Sequence, residues 1–220
     1  MRAEQQHILE MVAQGKLSPA DADRLLKEMR RPRTPIIGWL FHPLAHLSTH
    51  VALAIAGLVA VVQLLISRLD VRFDGALDSH SAGVKDVSWA DSLLDLAVAM
   101  PVTALVLWGV SRLFARQGRF VDFVAAVGLA RPPLFLATAL QLIARPYFPD
   151  LSGAIDPARL NHPIIIAASL LSLPLFAWSV ALLVTGLRTA SGLRGLKLVA
   201  ASLVALFGAT LVGELILYLF

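Results

Sequence analysis

Cysteine is absent from the chain. That excludes disulfides, thiolate metal sites and a thiol nucleophile. Charge is scarce as well. Asp, Glu, Lys and Arg make up 15% of the 220 residues, against about 25% in soluble domains. Enzyme signatures are missing: there is no Gly-rich phosphate loop, no His-Glu-x-x-His pair and no Gly-x-Ser-x-Gly elbow. What is abundant is apolar surface, at 57% of residues and a mean hydropathy of +0.73. A water-soluble globule of this length cannot hide so much, which excludes a soluble enzyme and a disordered tail alike. A polytopic membrane protein remains.

Basic residues outnumber acids, 19 to 15. They cluster beside apolar runs, so the excess reads as topology control and not as a nucleic-acid footprint. Arginine supplies 15 of the 19, and its bias, with abundant alanine and leucine, is the one GC-rich bacterial genomes carry. No cleavable leader pattern opens the chain, so the first apolar run is expected to act as an uncleaved anchor.

Residues 3–30 read as a cytoplasmic helical hairpin. Ile8, Leu9, Met11 and Val12 recur at about one helical turn. Gly15 suits the left-handed residue that closes a helix. Ser18-Pro19-Ala20-Asp21 looks like a new start, with Ser18 as cap, Pro19 in the first turn and Asp21 near the positive helix end. Leu25 and Leu26 continue the apolar face. Two helices this short bury little alone, so Leu9, Val12, Leu25 and Leu26 are the candidate protein-binding face, for another protein or a second copy. Arg30, Arg31 and Arg33 follow as a basic collar.

Residues 34–220 read as an all-α bundle of five transmembrane helices, at about 48–67, 93–111, 132–148, 163–187 and 198–219. Pro35 to Leu47 is expected at the interface, with Trp39 and Phe41 in the headgroup zone. Arg131-Pro132-Pro133 interrupts an apolar stretch, so residues 119–130 are expected to lie on the membrane surface or half inserted. The alternative is one long kinked helix from 120 to 144 with Asp122 and Arg131 inside protein. With the N-terminus inside, 14 basic residues fall on the inner side and 5 on the outer. That places the C-terminus outside.

Three features carry candidate chemistry. His42, His46 and His50 stand four apart, and imidazoles so spaced on one continuous helix can share a metal or face a heme. Pro43 opposes this, because a helix starting there leaves His42 at its cap. Glu214 is an acid inside the last apolar run, a candidate ion or proton site; small Gly208, Thr210 and Gly213 beside it favour close packing. Asp122 and Arg131 flank the broken segment, each expected to meet water at the headgroup level, or else to pair.

The stretch Arg119-Phe120-Val121-Asp122-Phe123, then Ala125 to Ala130, then Arg131-Pro132-Pro133, resembles the segment ahead of the third span in the YIP family of integral membrane proteins. Trp178, with Gly186-Leu187-Arg188 and Ser191-Gly192-Leu193, resembles that family's fourth span and following turn. The resemblance covers roughly residues 35–218. Residues Ile8 to Ser18, through Leu25-Leu26, are similar to the short helical modules of the SHOCT type. Together these resemblances imply five spans behind a cytoplasmic N-terminal region. They imply a non-enzymatic adaptor or membrane-organising protein without a cofactor, in a bacterial inner membrane. A small transporter using Glu214 and a metal- or heme-binding protein using the three histidines are the alternatives.

Overall fold

A computed structural model describes residues 10–23, 36–69, 71–73, 75, 77, 80–81, 87–115, 118–147 and 161–219. The chain divides into two compact units, residues 1–39 and 40–220. In the first, residues 10–13 are helical, Gly15 takes φ +69°, and a new helical turn begins after Ser18. The Ser18 Oγ accepts the Asp21 N–H at 3.1 Å and donates to the Asp21 carboxylate at 2.5 Å. The punctuation expected of the hairpin is therefore present, while Leu9, Leu25 and Leu26 lie outside the described residues.

Helices build the second unit. α1 (Ile36–Phe41), in which the division falls, leads to a 3-10 turn at Pro43–Ala45. α2 (Thr49–Ser67) starts where Ser48 turns extended and its Oγ accepts the Val51 N–H at 3.4 Å. Two-residue strands β1 (Val71–Arg72) and β2 (His80–Ser81) pair antiparallel in the next connection, Val71 opposite Ser81. α3 (Trp89–Ala99) and α4 (Pro101–Phe114) form one run with a break at Met100. Pro101 has no N–H to return to Ala97, one turn back, and the regular helix is interrupted there. α5 (Phe120–Ala130) and α6 (Pro132–Ala144) form another run, closed by a 3-10 turn at Arg145–Tyr147. α7 (Pro163–Ser191) continues through Pro174 and stops at Gly192, whose φ of 71° returns its N–H to Arg188 O at 2.8 Å. α8 (Gly195–Leu219) follows.

Among the described residues, five runs are long and apolar enough to cross a membrane: Thr49–Ser67, Trp89–Phe114, Phe120–Tyr147, Pro163–Ser191 and Gly195–Leu219. The protein is an all-α membrane bundle. The third run differs from the first expectation and follows the alternative. Arg131 keeps helical angles (φ −77°, ψ −34°) ahead of Pro132, and Phe135 N–H still reaches Arg131 O at 3.1 Å. The proline kinks the helix instead of ending it, so residues 120–130 belong to the span.

That third run is also the hub. Two thirds of its apolar window is buried (67%), more than in any other run. It packs on α2, α4 and α7, while α8 packs mainly on α4. The core joins Met100, Leu107, Phe123, Val127, Leu183, Leu187 and Ala205. Small residues set the approach of the helices. A Cβ on Gly128 would stand 2.6 Å from Ala56 Cα, and one on Gly186 2.7 Å from Ala126 Cβ. Outward faces carry Leu58, Leu65, Leu105, Leu173, Phe207 and Leu211, all more than half exposed, as lipid-facing positions should be.

Candidate functional site

α3 begins at Ser88, whose Oγ accepts the Asp91 N–H at 3.1 Å and donates to its carboxylate at 2.7 Å. From that start Ser92, Asp95 and Ala99 fall on one face at helical spacing, and all three are buried. Arg72, at the end of β1, reaches this face. Its Nε donates to Asp95 Oδ2 at 3.0 Å and its Nη2 to Asp95 Oδ1 at 2.6 Å. The Asp95 side chain is fully enclosed while that of Arg72 is 34% exposed. A bidentate pair is the strong form of this contact.

One turn further along the face, Ala99 O accepts from Thr103 Oγ1 at 2.6 Å and from Arg131 Nη2 at 2.9 Å. The same Nη2 donates to Gly75 O at 3.1 Å. The two carbonyls are thus close neighbours. Ala99 lies ten residues from Trp89, about 15 Å along the helix. Gly75 therefore stands inside the bundle at about that depth. Non-helical backbone is stable at membrane depth only when protein covers it. Phe73, fully buried, supplies that cover: it packs with Val71, Ala99 and Leu134 and meets Phe135 edge-on at 5.8 Å.

Arg131 is 1% exposed, against the expectation that it meets water. Asp122 is not its partner. Arg119 takes Asp122 instead, Nη2 to Oδ1 at 3.0 Å, and also donates to Thr49 Oγ1 at 3.1 Å. The hydrogen bond with Asp122 and then its charge hold the Arg119 guanidinium above its ordinary pKa. Beside this exposed cluster, Trp108 meets Phe120 edge-on and Arg112 stacks over Trp108 at 5.3 Å. At the other end of the second span, Arg68 stacks over Trp89 at 4.8 Å.

The histidines do not share a continuous helix. His42 precedes the 3-10 turn, His46 follows it, and His50 sits in the first turn of α2. His46 and His50 are exposed. Among the described residues no group of three His, Cys, Asp or Glu side chains is placed to hold a metal. The segment is tied to α7 by its backbone instead: Trp178 Nε1 donates to Leu40 O at 3.1 Å and Thr185 Oγ1 to Phe41 O at 2.7 Å. Glu214 is exposed on α8 while its neighbour Gly213 is buried. It stands on the outside of the bundle and does not line an interior path. Val12 is half-buried within the N-terminal unit.

Asp95 and Gln63 carry the signal that the sequence reading passed over. Asp95 is an acid inside the apolar run 93–111, and Gln63 is the only amide among residues 34–67. Both are fully buried.

A family model described as the Yip1 domain matches residues 26–215, and a SHOCT-like domain matches residues 4–34. No curated protein and no solved structure matches the chain.

Proposed function

The chain belongs to the Yip1 domain family of membrane proteins, and from that premise we propose that it is an adaptor or membrane organiser without chemistry of its own. Its cytoplasmic hairpin binds a protein partner or a second copy through Leu9, Val12, Leu25 and Leu26. The observation that carries this reading is the separate SHOCT-like match over 4–34, ahead of the membrane unit. An apolar face on helices too short to be stable alone calls for a partner.

The same reading sets the protein in a bacterial inner membrane with its N-terminus inside and its C-terminus outside. With Arg131 inside the bundle, 13 basic residues remain on the inner side against 5 outside, still the distribution the positive-inside rule requires.

The test compares full-length protein with a Leu25→Asp, Leu26→Asp variant, both solubilised from membranes in mild detergent. Light scattering gives the assembled mass, and affinity capture gives the partner. The variant should insert normally and lose the assembly or the captured partner. Equal mass and equal capture for both proteins would sink the adaptor reading.

A further inference from the structure

The acids inside the five spans do not share one fate. Asp91 is held by Ser88, Asp95 by Arg72 and Asp122 by Arg119. Glu214 is exposed, and among the described residues no side chain meets its carboxylate. Acids within spans ordinarily face the bundle interior or pair with a cation. One turned toward lipid is costly until something covers it.

Its depth follows from helix register. α8 packs mainly on α4, and a Cβ on Gly208 would stand 3.4 Å from Val106 Cγ1. Successive spans alternate in direction, so the second and the fifth run antiparallel. Glu214, six residues past Gly208, therefore stands level with Met100, six residues before Val106. Met100 is eleven residues from Trp89 and fourteen from Phe114, near the middle of the second run. That is about 16 Å of helix rise from the Trp89 end, roughly half of an apolar layer ~30 Å thick. A glutamate side chain is too short to return to the headgroups from there.

The surface around it is laid out for helix packing. Leu203, Phe207, Leu211, Glu214 and Tyr218 recur every three or four residues along one side of α8, and all are exposed. A second copy of the chain does not bring the missing cation. Within the spans Arg112, Arg145, Arg188 and Lys197 stand within three residues of an end, while Arg131 lies deep but is buried.

We infer that this face of α8 docks a transmembrane helix of another protein, one carrying a Lys or Arg near the bilayer centre that pairs with Glu214. The apolar residues on either side exclude lipid from the pair, and the charge match fixes register and rejects uncharged helices. The surface belongs to the membrane unit, and the inference does not rest on the hairpin reading.

The test places the full chain, with a donor dye on Arg194→Cys, in lipid vesicles. The probe is a synthetic leucine–alanine transmembrane peptide of about 22 residues, with one central lysine and an acceptor dye. Energy transfer to it should exceed that to the same peptide without lysine several-fold. Glu214→Gln, an exposed change whose fold is checked by its elution as the wild-type species, should lower transfer to the level of the apolar peptide. Equal transfer to the two peptides overturns the site, as does undiminished transfer in Glu214→Gln. Adding Leu173→Glu to Glu214→Gln moves the acid to an exposed position of α7, ten residues past Pro163. Full transfer in that double variant would mean that any outward acid serves, and overturns the face. Transfer between donor- and acceptor-labelled copies of the chain that Glu214→Gln abolishes would make the occupant a second copy, against the proposal. A change in peptide transfer on combining Lys85→Ala with Arg159→Ala would give the carboxylate to the chain's own connections, with the same consequence.

Discussion

Arg72 and Asp95 share one ion pair but not one environment. Asp95 is fully enclosed; Arg72 is a third exposed. Removing the partner of an enclosed charge is the damaging change, so Arg72→Ala should cost about 3–5 kcal/mol. Asp95→Asn leaves an arginine that can turn to water and should cost about 1 kcal/mol. Unfolding midpoints of the two variants in one detergent give the order, and equal losses would contradict the burial difference. At this scale the sequence is only half legible. An acid in an apolar run announces itself, as Asp95 does. What stands opposite it does not, because Arg72 lies 23 residues away and Gly75 lies 56 from Arg131. Glu214 shows the reverse: a conspicuous acid that the helix turns outward.

Among the elements, the third span owes its place to Gly128 and its bend to Pro132. Gly128→Val puts a branched side chain against the Ala56 backbone and should cost about 1–3 kcal/mol. Gly57→Ala on the neighbouring helix meets nothing within 4 Å and should stay within about 0.5 kcal/mol of wild type. The fraction of monodisperse protein surviving a heating series separates the two. Apolar run length was enough to find the first, second, fourth and fifth spans within a few residues at most of their ends. The third resisted because a proline is locally ambiguous. It ends a helix that nothing supports and bends one that neighbours hold on several sides, and only packing tells which. The Ser18 and Ser48 caps and the Gly15 and Gly192 stops were local chemistry. For Ser18 and Gly15 the chemistry was read correctly from a few residues.

For the whole molecule, the proposed orientation gives a direct expectation. Asn161→Cys, in the connection before α7, should react with an impermeant maleimide in sealed vesicles whose outer face is exposed. Arg194→Cys, in the turn before α8, should react only after permeabilisation. Both positions are exposed, and the absence of native cysteine makes each label unambiguous. The reverse pattern would invert the topology. The third span has a further consequence, for how the protein is made. Its mean hydropathy is 1.6, the lowest of the five, where the others reach 2.0 to 2.2, yet it is the most buried. An arginine near the middle of a span adds about 2.5–3.5 kcal/mol against partition into lipid. This helix is therefore a poor candidate to leave the insertion machinery alone, and it should wait at the protein-conducting channel until a later span arrives to receive it. A topology reporter placed near residue 155 should score mostly untranslocated in chains ending at 160 and translocated in the full-length protein. The bundle then assembles around its least lipid-soluble member, and the order of synthesis becomes part of the folding pathway.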